Sequence, residues 1–188
     1  MNQPSYRVFF AVDLSPDTKM KLLSYQEKFI DLEAQPIDPA NFHITLSFLG
    51  ELNERKIETI MDNLSPIKQN SFNVILKEPV YLSSSKILAL EVEDKSKQLK
   101  KLKETIESDI RSVTHLNIEK RDYLPHVSLF RKVETFPEFT LPIHNEIQVD
   151  SFCLMASLPT KNSVRYEIIE DWKLSSGSSI KEQLIGKS

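Results

Sequence analysis

The chain has 188 residues, 40% of them hydrophobic and 27% charged, with a formal net charge of −3 and one cysteine, Cys153. That is enough for one well-cored domain or for two small lobes sharing a core, with the balance of an ordinary soluble globular protein. It excludes an intrachain disulfide, the roughly 18 consecutive apolar residues of a membrane span, and the basic footprint of a general nucleic-acid coat.

The opening Met1-Asn2-Gln3-Pro4 lacks the basic-then-apolar run of a signal peptide. With a lone cysteine, this sets the expectation of a cytoplasmic protein in which Cys153 is a buried packing residue. Residues 6–14 alternate, which predicts a strand with Tyr6, Val8, Phe10, Val12 and Leu14 in the core and Arg7, Phe9, Ala11 and Asp13 on the other face. Arg7 and Phe9 would then share the more open side, where a guanidinium beside an aromatic ring suits a phosphate next to a nucleobase. The alternative is that Phe9 packs under a neighbouring loop and Arg7 makes a surface ion pair. Ser15-Pro16 reads as an N-cap followed by proline at the first helical position, predicting a helix over 16–32 with Leu22, Leu23, Phe29 and Ile30 on its buried side. Pro36 and Pro39 then break the chain into a loop.

Residues 41–50, Asn-Phe-His-Ile-Thr-Leu-Ser-Phe-Leu-Gly, follow as a strand. Alternation sends His43 and Thr45 one way and Phe42, Ile44, Leu46 and Phe48 the other, giving a polar row for a cleft and an apolar row for a core. Asn53 can cap a helix carrying Ile57, Ile60, Met61 and Leu64 and ending at Pro66. Residues 72–82 and 87–93 read as strands around Ser83-Ser84-Ser85-Lys86, and 83–86 is the expected boundary between two lobes. Asp94 or Ser96 caps a further helix to about residue 113, striped by Leu99, Leu102, Ile106, Ile110 and Val113. Its Lys97, Lys100, Lys101 and Lys103 are accompanied by Glu104, Glu107 and Asp109, the pattern of a solvated helix face. After a polar loop comes the strand at 124–131, Leu-Pro-His-Val-Ser-Leu-Phe-Arg, where His126 and Ser128 oppose Val127 and Leu129. A proline-punctuated stretch over 136–142 leads to a strand pair at 146–158 and 164–174, and residues from 175 onward are expected to fray. His115 and His144 lack any such context and are expected at the surface.

The matched His-x-Thr/Ser-Leu tetrads at 43–46 and 126–129 resemble the paired motifs of the two-histidine phosphoesterase superfamily, in particular its RNA 2′,3′-cyclic phosphodiesterases, also called 2′-5′ RNA ligases. The likeness extends to the opening strand at 7–12, to Phe-Leu-Gly after the first tetrad, to Arg131 after the second, and to the closing hairpin with Tyr166, so it covers the chain to about residue 174. It implies an α+β fold: one bilobal, pseudo-symmetric domain over 1–174, with two antiparallel sheets backed by helices around a central cleft, and a flexible tail over 175–188. Each half would contribute one histidine strand.

Opening a ribose 2′,3′-cyclic phosphate needs a water to lose a proton and the departing ribose oxygen to gain one. Two imidazoles can do both near neutral pH, since the ordinary histidine pKa is about 6.5, and no metal or cofactor is required. Thr45 and Ser128, on the same strand face as their histidines, can donate hydrogen bonds to the phosphate oxygens. The resemblance implies His43 as general acid, His126 as general base, a 2′-phosphate product, and a phosphate contact from Arg131, although strict alternation puts Arg131 on the wrong face unless the strand bends. It also places Arg7, Phe9 and Tyr166 in the binding set. The expected partners are RNA ends or small cyclic-phosphate nucleotides, met by a monomer without a membrane. The residues alone do not distinguish acid from base. They also leave open a 2′-5′ linked or other cyclic nucleotide as substrate, reversible ligation, and a non-catalytic RNA-end binding module. No Walker loop, dinucleotide glycine motif or zinc ligand cluster is legible.

Overall fold

In the computed structural model, which describes residues 4–29, 31–114, 116–118, 122–136, 143–161 and 163–175, the two histidine strands lie in different sheets. The element order is β1 (Ser5–Asp13), α1 (Pro16–Gln26), β2 (Gln35–Pro36), a 3-10 turn (Pro39–Asn41), β3 (His43–Asn53), α2 (Glu54–Asn63), β4 (Phe72–Leu82), β5 (Ile87–Glu93), α3 (Gln98–Thr114), β6 (His126–Arg131), β7 (Asn145–Val149), β8 (Ser151–Pro159) and β9 (Val164–Lys173). One sheet has the order β3-β1-β8-β9 and the other β2-β6-β5-β4-β7, with antiparallel pairing throughout. This is the α+β arrangement expected, with His43 on the first sheet and His126 on the second.

Local chemistry accounts for most boundaries. The Ser15 side chain accepts from Thr18 N with Pro16 at the first helical position, Asn53 caps α2 through Lys56 N, and both carboxylate oxygens of Asp94 accept from the first amides of α3, Gln98 and Leu99. The apolar faces so created meet in one cluster that joins Val8, Phe10 and Val12 of β1 to Ile44 and Leu46, to Ile60 of α2, to Leu99, Leu102, Ile106 and Ile110 of α3, and to Leu90 and Val127 of the second sheet.

Several expectations are corrected. Helix α1 stops at Gln26 rather than near residue 32. Gln26 is buried, and its side-chain amide donates to Ile37 O at 3.0 Å and Leu129 O at 2.7 Å, tying the helix end to the second sheet. The proline-rich loop contains β2, whose Gln35 and Pro36 pair with Arg131 and Phe130 at a sheet edge, where a missing amide is tolerated. Turn 83–86 is not a boundary between lobes but the β4–β5 hairpin inside the second sheet. The strand read over 146–158 is two strands, because the chain passes from the second sheet to the first at Asp150, whose carbonyl accepts from Leu174 N at 2.8 Å. Lys103 and Glu107 are not part of a solvated face: they form a 2.7 Å ion pair with side chains 15% and 7% exposed. Cys153 is buried and His144 is exposed, as expected. Ile30, His115 and the tail over 176–188 lie outside the described residues.

The departure with the largest consequence is a register shift in each histidine strand. In β3, Thr45 pairs with Ala11 and Ser47 with Phe10, so Leu46 is an extra residue opposite none; a second shift skips Leu49. In β6, Ser128 pairs with Ala89 and Phe130 with Leu88, so Leu129 is the extra residue. A bulge reverses the face on which later side chains fall. Ser47 therefore turns inward, 3% exposed, and its hydroxyl donates to Glu107 Oε1 at 2.7 Å, while Phe48 turns out to 54% exposure opposite Phe9. Arg131 is swung onto the side of His126 and Ser128 by the same device. Phe48, expected in the apolar core row, is corrected on this ground. Phe48→Ala should therefore change the unfolding free energy by no more than about 0.5 kcal/mol, whereas Phe42→Ala, at a site 1% exposed, should cost about 3–5 kcal/mol. Urea unfolding of the two variants checks this, and equal losses would return Phe48 to the core row.

Candidate active site

The two histidines are held in the same way. Nδ1–H of His43 donates to the carbonyl of Asn41 at 2.6 Å, and Nδ1–H of His126 donates to the carbonyl of Leu124 at 2.8 Å, each two residues upstream on the incoming chain. A carbonyl can only accept, so both rings carry a proton on Nδ1 and leave Nε2 as the nitrogen that can gain or lose one. Thr45, two residues on and on the same face, places its hydroxyl 3.0 Å from Nε2 of His43. Ser128 takes the matching place after His126, with β6 alongside β3.

The surroundings of His43 are mainly aromatic. Its ring centroid lies 5.1 Å from that of Phe9 and 5.1 Å, edge-on, from that of Tyr166, which is also edge-on to Phe9 at 5.0 Å. These contacts join opposite edge strands of the first sheet, so that sheet is curled around Phe9. Phe9 is 2% exposed and forms, with Ala11, Cys153 and Met155, a small second apolar cluster beneath the site. The expectation that Phe9 lies on an open face, ready to stack on a base, is thus corrected: it is the floor. The accessible ring is that of Phe48, whose centroid is 5.7 Å from Phe9, with the exposed Arg7 guanidinium 5.9 Å from its own centroid. Arg131 reaches across from the second sheet, donating from Nη2 to the Tyr166 hydroxyl at 2.5 Å.

Four further groups were not legible from residue patterns. Asn41 uses its side-chain amide on β9, donating to Val164 O at 2.7 Å and accepting from Tyr166 N at 2.9 Å. The Tyr123 hydroxyl donates to the Thr45 carbonyl at 3.2 Å from the segment preceding the second motif. Asp13, the register partner of His43, is ion-paired to Lys19 at 2.7 Å. The signals were present only as single residues, such as an asparagine two places before the first histidine where the second motif has Leu124.

Burial pushes the His43 pKa down to about 4, against the Asn41 carbonyl and the Asp13 charge, which favour the imidazolium; His126 and Lys19 add to the lowering. His43 is therefore neutral at pH 7 in the free protein, and the Thr45 hydroxyl donates to its Nε2. Behind the strand, burial alone would raise the Glu107 pKa, but hydrogen bonds from Lys103 and Ser47, with the charges of Lys103 and Arg111, hold it below the usual range. Among the described residues, no three His, Cys, Asp or Glu side chains are grouped to hold a metal ion, and no helix is long and apolar enough to cross a membrane.

The chain is similar in sequence and fold to known proteins over most of its length. A family described as LigT like Phosphoesterase matches residues 12–86. The chain is 26% identical over 176 residues to an RNA 2′,3′-cyclic phosphodiesterase of Escherichia coli, covering 93% of this chain and 99% of that one. It is 25% identical over 183 residues to an RNA 2′,3′-cyclic phosphodiesterase of Methanocaldococcus jannaschii, covering 88% and 99%. The fold matches that of Escherichia coli LigT complexed with 3′-AMP at a TM-score of 0.83 and 24% identity, over 92% of this chain and 100% of that one.

The His43 assignment has a direct spectroscopic consequence. In nitrogen-detected NMR, the free protein should show His43 as the neutral Nδ1–H tautomer throughout pH 5.5–8, titrating only near pH 4. Added inorganic phosphate should move that titration upward. A ring that is charged at pH 6 without phosphate would contradict the burial argument.

Proposed function

We propose that the chain is a LigT-like two-histidine phosphoesterase and that it hydrolyses 2′,3′-cyclic phosphate ends of RNA, or of small nucleotides, to 2′-phosphates by general acid–base catalysis. The observation that carries this reading is the pair of imidazoles, one from each sheet, each locked through Nδ1–H to a backbone carbonyl with Nε2 left for proton transfer. Relatives named RNA 2′,3′-cyclic phosphodiesterase support the substrate class.

In the reaction, water attacks phosphorus and passes a proton to Nε2 of His126. The P–O3′ bond breaks, and the departing oxygen takes the proton on Nε2 of His43. His43 must therefore acquire a proton that it lacks in the free protein. The anionic phosphodiester supplies the reason, because a negative charge a few ångströms from a partly buried imidazole favours the charged ring. Protonation of Nε2 also removes the acceptor that the Thr45 hydroxyl uses in the free state. Thr45 is then free to donate to a nonbridging oxygen, so proton uptake and phosphate binding support each other. Ser128 and the Arg131 guanidinium complete the set of donors around the charge that develops on phosphorus.

Phe48, exposed on the site's face of β3 with Arg7 over its ring, is the base-stacking surface in this reading. With so few cations involved, binding should depend only weakly on salt. Run in reverse, with the two histidines exchanging roles, the same groups would join 2′-5′ ends.

The test is hydrolysis of a nucleoside 2′,3′-cyclic phosphate and of an oligonucleotide carrying that end, in excess chelator, with the product isomer identified by phosphorus NMR. A 2′-phosphate is expected. His43→Ala and His126→Ala should each lose about 10²–10⁴-fold in kcat, and Phe48→Ala should raise KM roughly 5- to 100-fold with kcat little changed. Turnover of 2′-5′ linked oligonucleotides alone would move the activity to that substrate. Binding of RNA ends without turnover would reduce the protein to a binding module.

A further inference from the structure

The side chain of Asn41 is 8% exposed and makes two hydrogen bonds that nothing in the proposed chemistry requires. Its Nδ2 donates to Val164 O at 2.7 Å, and its Oδ1 accepts from Tyr166 N at 2.9 Å. A primary amide presents one donor and one acceptor side by side, as a peptide group does, so Asn41 supplies a rung of β-ladder to the outer edge of β9. It does so from the turn before β3, at the opposite edge of the same sheet, and so fastens the curled sheet across its concave side.

What is fastened is Tyr166. With its backbone held by Asn41, its ring stands edge-on to His43 at 5.1 Å, and its hydroxyl accepts from Arg131 Nη2 at 2.5 Å. Arg131 belongs to the second sheet, and among the described residues its side chain makes no other hydrogen bond. The Asn41 carbonyl meanwhile fixes the His43 ring at 2.6 Å. One residue therefore sets the orientation of groups on both sides of the site. The second motif has no counterpart, since Leu124 stands at that place with its side chain 48% exposed.

We propose that Asn41 is a positioning residue for the phosphate site: its amide clasps β9 so that Tyr166 aims the Arg131 guanidinium at the bound phosphate. The proposal deepens the phosphodiesterase reading and rests on it for the identity of the anion. Asparagine is demanded by the geometry. Aspartate keeps the acceptor for Tyr166 N but turns an oxygen on the Val164 carbonyl, alanine keeps neither bond, and glutamine is a methylene too long.

The test uses the whole protein as Asn41→Ala, Asn41→Asp, Tyr166→Phe and the double variant Asn41→Ala with Tyr166→Phe. Inorganic phosphate affinity is measured by NMR titration, and kcat and KM are measured on a nucleoside 2′,3′-cyclic phosphate. For Asn41→Ala, the phosphate Kd and the KM should rise together by about tenfold, the worth of a misplaced charge-assisted hydrogen bond. The His43 Nδ1–H signal should persist, because the backbone carbonyl survives. Asn41→Asp should lose at least as much, because its carboxylate faces the Val164 carbonyl and adds a negative charge near the phosphate site. Tyr166→Phe should lose about as much as Asn41→Ala, and the double variant no more than either, since both break one chain of contacts. Multiplying losses in the double variant, or a lowered melting temperature with phosphate affinity intact, would overturn the proposal and leave Asn41 as fold support. If Asn41→Ala does not fold, Asn41→Asp and Tyr166→Phe carry the same comparison. If the wild type turns over no cyclic phosphate, the phosphodiesterase reading fails while the phosphate titration still decides the clasp.

Discussion

The arrangement of this site depends on one extra residue in each histidine strand. Without Leu46 and Leu129 as bulges, the alternation of β3 and β6 would send Phe48 into the core and Arg131 to the far face. With them, the fifth residue after each histidine returns to the histidine's own side, as an aromatic ring in one strand and a guanidinium in the other. Each bulge is also met by a buried polar side chain from a helix. Glu107 of α3 accepts from Ser47 just after the first bulge, and Gln26 of α1 donates to the carbonyl of Leu129 at the second. Both are 6% exposed, and both are costly to bury unless satisfied. That cost is a reason for the helices to end and dock where they do, α1 stopping at the residue whose amide reaches the second sheet.

The histidines themselves are fixed by backbone rather than by a neighbouring acid. A carbonyl accepts and never donates, so it fixes Nδ1 of each ring as a donor and leaves Nε2 as the position that can change. Burial then makes the charged form of His43 depend on what occupies the site. In its neutral form the ring engages the Thr45 hydroxyl; in the proposed reaction it would take a proton beside the bound phosphodiester and release that hydroxyl. On that reading the first tetrad would act as one unit with two states, chosen by the charge beside it.

How much of this was legible in the sequence follows from the kind of regularity each feature has. The hairpin strands β4 and β5, the caps at Ser15, Asn53 and Asp94, and the facing of His43 with Thr45 and of His126 with Ser128 all follow from local chemistry or strict alternation. The bulges were not legible, because a period of two contains no sign of its own interruption; the need for Arg131 to be re-aimed was the one hint. Nor was the break at Asp150 read, since only the short polar pair Asp150-Ser151 separates the two apolar stretches that belong to different sheets. The Asn41 clasp joins residues more than a hundred positions apart, and nothing local to either end marks it. Phe9 was placed on the right face and given the wrong depth, since alternation specifies direction while burial depends on how far the sheet curls.

The unlike pair at the fifth position also bears on which histidine does what, a question the two tetrads leave symmetric. Phe48 lies on the same strand and face as His43, and the Phe9 ring touches both, at 5.7 and 5.1 Å between centroids. On the proposed reading, a nucleotide stacked on Phe48 would carry its ribose toward β3, because the sugar is the link between base and phosphate. The ribose oxygens then fall on the side of His43, and the opposite side of phosphorus faces His126 on the second sheet. An in-line displacement needs its leaving oxygen and attacking water on opposite sides of phosphorus. On the proposed reading, the imidazole that shares a strand with the base platform would protonate the ribose oxygen, and its partner would activate water. Arg131, on the strand of His126, would then supply charge at the phosphate end of the nucleotide, away from the base. An acid chosen for the leaving oxygen is also best kept dry, since desolvation strengthens its interaction with the oxygen that receives its proton. The more deeply desolvated ring is His43, held beneath Tyr166 and against Phe9.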